Sequence, residues 1–408
     1  MRTTIVRILY WGVLCISTLV EAQTYQVIYA FSSEFAGNDP TSTLLADGKG
    51  NFYGTTFSGG STYGSNCSVW GGCGTIFKIT STGKRVTLFD FGLTPNDGQN
   101  PYAGVIADRA GNLYGTTVYG GSSGNGIVYR LDTKGHETIL HDFSGATDGK
   151  YPDAGLVMDS AGNLYGAAQQ GGDTTDCQGF GCGTIYKIAS DGAFSVVYTF
   201  TGSADGAAPT ATLIRDASGN LYGTATSGGI EGGYCSAGCG GVFKVDTAGR
   251  ETVLHSFAGP PNDGSGPTAP LALDSAGNLY GTTTFGGTGN VGTAFKVDTN
   301  GTETVVFNFQ EWPNPGGQYP HAGLLLDRQG NLYGATSTGG KHALGALFEI
   351  SVNGKLTPLH YFAGDPTDGG EPDGTLITDG QGNGYGTAAI GGNGSCPIGC
   401  GVIYKISR

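Results

Sequence analysis

The sequence predicts an all-β fold, a β-propeller of seven blades with four antiparallel strands per blade. Three observations carry this reading. A short segment, Gly-Asn-(Leu/Phe)-Tyr-Gly, begins at Gly50, Gly111, Gly162, Gly219, Gly277 and Gly330, and a seventh copy at Gly382 has Gly384 where the others have Leu or Phe. The copies lie 61, 51, 57, 58, 53 and 52 residues apart, the length of a four-stranded blade and too long for most solenoid coils. The composition is one of strands and turns: 77 of 408 residues are Gly, Tyr and Phe are plentiful, and no long 3.6-residue apolar stripe is present.

Unit three shows the elements in order. Ala154 to Met158 reads as a first strand, followed by the turn Asp159-Ser160-Ala161-Gly162. Asn163 to Ala168 is a second strand, closed by Gly171-Gly172; Thr184 to Ile188 is a third. The turn Ser190-Asp191-Gly192 leads to a fourth, Ser195 to Phe200. An Asp stands three residues before the Gly of every copy: Asp47, Asp108, Asp159, Asp216, Asp274, Asp327 and Asp379. Seven identical catalytic acids are implausible, whereas an Asx-type turn that lets the Gly adopt a positive φ accounts for all of them. The repeated Tyr (Tyr53, Tyr114 and their equivalents) is expected to pack between blades. Asp-Gly pairs at Asp97, Asp148, Asp205, Asp263 and Asp368 read as turns, since no dense acidic loop suggests calcium. His141, His255 and His360 recur in the fourth strand and read as architecture.

The two ends predict how the ring closes. Gln26 to Phe31 matches a fourth strand, as in Glu251 to Phe257, and Val402 to Ser407 matches a third, as in Thr75 to Ile79. The N-terminal strand is therefore expected to complete the last blade, covering two edges that would otherwise invite aggregation. With the C-terminal strand so occupied, no tail is expected to serve as a membrane or wall anchor.

Asp-x-x-Gly-Asn-Leu-Tyr-Gly-Thr-Thr, then Gly-Gly, Gly-Thr-x-Phe-Lys and Thr-Val-Leu-His-x-Phe form a pattern most complete in residues 274–296 and 303–309. It resembles the GloVer (Gloeobacter/Verrucomicrobia) tandem repeat over essentially the whole chain after the leader. The resemblance implies the propeller fold and carries no activity with it. Many members of that family bear a C-terminal sorting anchor, and its absence here implies a released or periplasmic protein. NHL and kelch propellers are similar only in layout, since the kelch Trp and the Ser-x-Asp-x-Gly box of sialidase-like propellers are missing.

Residues 1–22 read as an export signal. Arg2 and Arg7 precede an apolar run from Ile8 to Val20, and Val20-Glu21-Ala22 offers small residues for cleavage before Gln23. An uncleaved anchor helix is the rival reading, for which the run is short. The expected organisation is thus a signal over 1–22 and one propeller domain over 23–408, built of repeats of about 55 residues, secreted or periplasmic and monomeric. Cleavage removes two Arg and one Glu, moving the net charge from −13 to −14, which disfavours nucleic acid and anionic membranes as partners. The eight cysteines that remain form close pairs, Cys67/Cys73, Cys177/Cys182, Cys235/Cys239 and Cys396/Cys400, each between the Gly-Gly and the third strand. In an exported chain this reads as four disulfides; no His in those loops supports zinc. No metal and no cofactor are expected.

Candidate binding residues follow from topology. Each first strand starts with Pro and then a residue at the mouth of the central channel: Thr41, Tyr102, Asp153, Thr210, Thr268, His321 and Asp373. The flanking pattern repeats while this position varies, as expected of a site grafted onto a symmetric scaffold. The leader Glu311-Trp312-Pro313-Asn314 and the loop residues Lys341 and His342 add further groups in unit six. Taken alone, His321 is more simply a rim histidine bonded to a backbone carbonyl. Two functions compete. One is a binding or scaffold protein whose mouth recognises a saccharide or an extracellular protein, with Trp312 and Tyr102 stacking and Asp153 or Asp373 accepting hydroxyl hydrogen bonds. The other is an extracellular polysaccharide lyase or hydrolase, with His321 or Tyr102 as acid or base, Asp373 orienting the imidazole and Asp153 as a second carboxylate.

Overall fold

The computed structural model describes residues 24–32, 37–60, 67, 71–230, 234–311, 315–365, 367–392, 396 and 399–407. The expected export signal and Trp312 lie outside them. Seven four-stranded antiparallel sheets follow one another along the chain. Blade 3 consists of Val157–Met158, Leu164–Ala168, Thr184–Ile188 and Phe194–Thr199, hydrogen-bonded in that order. Blade 7 consists of Ile377–Thr378, Gly384–Ala388 and Val402–Ser407, with Thr24–Ala30 as its outer strand. The register pairs Thr24 with Ser407 and Ala30 with Val402, so the ring closes as the chain ends predict. No helix among the described residues is long and apolar enough to cross a membrane.

One expectation needs correction. The first strand pairs over two residues only, Val157–Met158 in place of Ala154 to Met158. Its upstream half runs along the channel and finds its partners in neighbouring blades: the amide of Gly155 donates to Thr212 Oγ1 at 2.9 Å. Other strand ends move by one or two residues.

Seven equivalent seams hold the disc together. A fully buried Phe at the end of each fourth strand meets an aromatic ring on the third strand of the next blade, edge to face. The pairs run from Phe91–Tyr129 at 5.1 Å, through Phe143–Tyr186, Phe200–Phe243, Phe257–Phe295 and Phe309–Phe348, to Phe362–Tyr404 at 5.3 Å. Phe31–Phe77 at 5.3 Å makes the same contact across the closure. Each pair contributes about 0.5–1.5 kcal/mol beyond the area it buries. The ring explains the Gly of the repeated Tyr-Gly: a Cβ at Gly54 would stand 2.7 Å from Phe77 Cζ, and one at Gly223 would stand 2.6 Å from Phe243 Cζ.

The repeated Asp does form a turn. Asp108 Oδ1 accepts the amides of Ala110 and Asn112, and Oδ2 accepts Asn112 Nδ2 at 2.7 Å, while Gly111 takes φ 87°. The repeated Tyr has a role beyond packing, since Tyr114 donates its hydroxyl to Asp108 Oδ2 at 3.1 Å. Fourth-strand histidines are likewise tied to the Asp-Gly turns, with Nε2 to carboxylate distances of 3.1 Å for His141–Asp148, 3.2 Å for His255–Asp263 and 3.0 Å for His360–Asp368.

Candidate site at the channel mouth

Each mouth residue is held by a short chain of local constraints. The residue before each Pro adopts a left-handed backbone: Asp39, Asn100, Tyr151, Ala208, Gly266, Tyr319 and Glu371 have φ between 54° and 63°. Only Gly266 does so without strain; a non-Gly residue in this region costs on the order of 1–3 kcal/mol. Two backbone bonds impose the conformation. The amide donates to the loop of the preceding blade, as Asn100 to Cys73 at 2.7 Å and Ala208 to Cys182 at 2.9 Å. The carbonyl accepts from the end of the second strand in its own blade, as from Val118 to Asn100 at 3.2 Å. The Pro then packs on the Gly that opens the third strand of the preceding blade, where a Cβ on Gly74, Gly126 or Gly183 would lie 2.6 Å from the Pro ring. One residue past the mouth position, the carbonyl accepts a hydroxyl from the preceding blade's second strand: Thr55 to Ala103 at 2.9 Å, Thr116 to Ala154 at 3.0 Å and Thr387 to Ser42 at 3.0 Å.

Four disulfides, Cys67–Cys73, Cys177–Cys182, Cys235–Cys239 and Cys396–Cys400, close the loops in blades 1, 3, 4 and 7, with Cα separations of 5.0, 5.3, 5.1 and 5.3 Å. Their number fits an oxidising compartment. The second cysteine in three of them supplies the carbonyl that holds the pre-proline residue of the next blade: Cys73 to Asn100, Cys182 to Ala208 and Cys239 to Gly266. The bridges therefore brace the leaders that carry the mouth residues.

Thr41, Tyr102, Asp153, Thr210, Thr268, His321 and Asp373, one from each blade, line a single cavity of about 590 Å³. Hydroxyls of Thr210 and Thr268 are paired with those of Thr226 and Thr284, at 2.9 and 3.0 Å. Thr41 Oγ1, Asp153 Oδ1 and Asp373 Oδ1 are shielded from solvent with no hydrogen-bond partner among the described residues. Burial pushes the Asp153 carboxyl up to about 8. Burial, and then the charge of Glu371, pushes Asp373 up to about 7. The Tyr102 phenol rises to about 12 through burial and the charges of Asp373 and Asp153, and burial lowers the His321 imidazole. His321 Nδ1 stands 3.8 Å from Asp373 Oδ1, beyond hydrogen-bond reach, and makes no bond to a backbone carbonyl among the described residues.

Two candidates fall elsewhere. Glu311 lines a separate recess with Tyr234, Pro260 and Pro261, and His342 is exposed on its loop. Sequence reasoning missed Gln169 and Thr226, which line the mouth cavity. It also missed aromatic pairs on the same face, Tyr119–Tyr151 at 5.4 Å and Phe285–Tyr319 at 5.6 Å, in which Tyr119 and Phe285 are exposed. The signal was present: a large aromatic residue two places after the Thr that ends a second strand, as Tyr119 after Thr117 and Phe285 after Thr283, lies beyond the core positions of that strand. Away from the mouth, ligand atoms of His255, Asp263 and Glu303 lie within 4.8 Å of one another, close enough to hold a metal ion.

Among solved structures, the chain is similar to the extracellular domain of BT4673 from B. thetaiotaomicron, with 14% identity and TM-score 0.56 over 93% of this chain and 39% of that one. A puromycin hydrolase mutant complexed with PGG aligns with 11% identity and TM-score 0.50, over 89% of this chain and 53% of that one. The gluconolactonase XC5397 from Xanthomonas campestris aligns with 16% identity and TM-score 0.40, over 73% and 82%. At these identities the likeness concerns the fold alone. No curated protein matches the sequence. The profile of the Gloeobacter/Verrucomicrobia repeat matches residues 10–180 and 159–328. The repeats, the seams and this match agree: the chain belongs to the Gloeobacter/Verrucomicrobia repeat family.

Proposed function

We propose that this is an exported binding protein whose channel mouth takes a saccharide. The observation that carries the reading is the mouth ring itself, three Thr, two Asp, a Tyr and a His at one position of an otherwise repeated frame, with polar atoms of Thr41, Asp153 and Asp373 left without partners among the described residues. A buried polar atom without a partner costs about 1–3 kcal/mol, and a ligand that supplies hydroxyls recovers it. A carboxyl that titrates near neutrality can donate or accept, which suits sugar hydroxyls. Tyr102, half-buried in the cavity wall and 44% exposed, offers a face for stacking on a sugar ring. The apolar N-terminal run and the disulfides support export to the periplasm or medium.

Catalysis on a polysaccharide is the second reading, favoured by the 3.8 Å approach of His321 to Asp373 in the same cavity as Tyr102 and Asp153. A glycan array with the purified protein tests the first reading. Binding that is lost in both Asp153→Asn and Tyr102→Ala, with the polymer recovered intact, is the expected result. Shortened or unsaturated products would replace it with the second reading, and an array without any hit would overturn both.

A further inference from the structure

A second cavity, of about 400 Å³, opens on the opposite face of the disc between blades 6 and 7. It exists because one repeat breaks the pattern. The first residue of the second strand is a core side chain in the other blades: Phe52, Leu113, Leu164, Leu221, Leu279 and Leu332 are at most 7% exposed. In blade 3, Leu164 packs among Ile106, Tyr114, Leu140, Leu156 and Ile188. The corresponding residues around blade 7, Leu325, Tyr333, Leu359, Leu376 and Ile406, line the cavity, with Gly384 where that leucine would be. The turn beside it adds only glycine to the wall, Gly380 and the repeat's own Gly382. An engineered cavity of about 150 Å³ lined by aliphatic and aromatic side chains is large enough to hold a benzene molecule, and small-molecule sites begin near 300 Å³.

The exposed Arg328 also lines this cavity and makes no ion pair among the described residues. The other charged group on the wall, Asp327, has both carboxylate oxygens committed to its own turn, through Gln329, Asn331 and Tyr333. In a chain of net charge −13, a cation beside an apolar hollow selects a ligand that joins an apolar group to an anion. We propose that the blade 6–blade 7 cavity binds an aliphatic carboxylate, the alkyl group replacing the missing leucine side chain and the carboxylate meeting Arg328.

Isothermal titration with octanoate, hexanoate and octanol tests this on the whole protein and on two variants. Gly384→Leu refills the hollow; φ there is not in the left-handed region, and although Ile406 Cγ2 would stand 3.0 Å from the new Cβ, the same Leu–Ile pairing is accommodated in blades 3 and 6, as Leu164 opposite Ile188 and Leu332 opposite Ile350. The variant is expected to melt no lower than the parent and to lose octanoate binding. Octanoate should bind about fifteenfold more tightly than hexanoate, at about fourfold for each of the two extra methylenes. Arg328→Ala should weaken octanoate about tenfold and leave octanol unchanged. Octanoate binding that survives Gly384→Leu, an Arg328→Ala variant without effect on octanoate, or no binding to the parent would each overturn the proposal.

Discussion

Asp153 gives a direct test of the buried mouth. Its carboxyl titrates near 8 because burial disfavours the charged form, against about 3.9 in an unfolded chain. A folded-state value above the unfolded one means that the native protein holds the proton more tightly. The resulting stability is fully present below pH 4 and is lost as pH rises through 8. Four units correspond to about 5 kcal/mol at 1.36 kcal/mol per unit. The side chain also faces the solvent-accessible mouth, so about half of this, 2–3 kcal/mol, is the expected penalty at pH 9. Asp153→Asn keeps the shape and removes the titration. Melting curves of parent and variant from pH 4 to 9 should coincide at pH 4. At pH 9 the variant should melt about 3 °C higher, since unfolding a chain of this length changes the midpoint by about 1 °C per kcal/mol. The difference between the two proteins isolates Asp153 from other raised carboxyls, such as Glu137 and Glu303. A variant that is less stable at pH 9, or a difference that does not change with pH, would refute the reasoning.

Two further predictions concern the leaders. Ala208→Gly should stabilise the protein by about 1 kcal/mol, because φ 54° strains alanine and not glycine; Gly266→Ala should destabilise by a similar amount, and denaturant unfolding of both measures it. Replacing Cys177 and Cys182 together by Ala should cost about 2 kcal/mol, the closure entropy of a short loop, and a shift of the melting midpoint with no change of far-ultraviolet dichroism would record it.

Much of the fold was legible from the chain because a propeller is built from local hairpins. The repeated Asp and Gly specify the 1–2 turn through bonds spanning four residues, as Asn112 to Asp108, so their spacing announces them. The disulfides were legible for the same reason, each spanning six residues or fewer. Part of the mouth was legible too, since a position that varies in a repeating frame stands out, and all seven such residues line one cavity. The length of the first strand was not. Ala154 and Gly155 look like strand residues, but their partners belong to neighbouring blades, Thr116 and Thr212, and sequence periodicity carries no information about those contacts.

By itself the sequence determined the number of blades, the turns and the out-of-step ends that make the first strand pair with the last. Those features depend on interactions within about 60 residues and on matching segments at the two ends. Only the tertiary structure decided which side chains lack partners and where space is left. The carboxyls of Asp153 and Asp373 titrate near neutrality because blades distant in the chain bury them together. The hollow at Gly384 is a cavity because its walls come from two blades. Burial and volume are properties of the packed ring, set by all the groups around a point, and one segment cannot specify them.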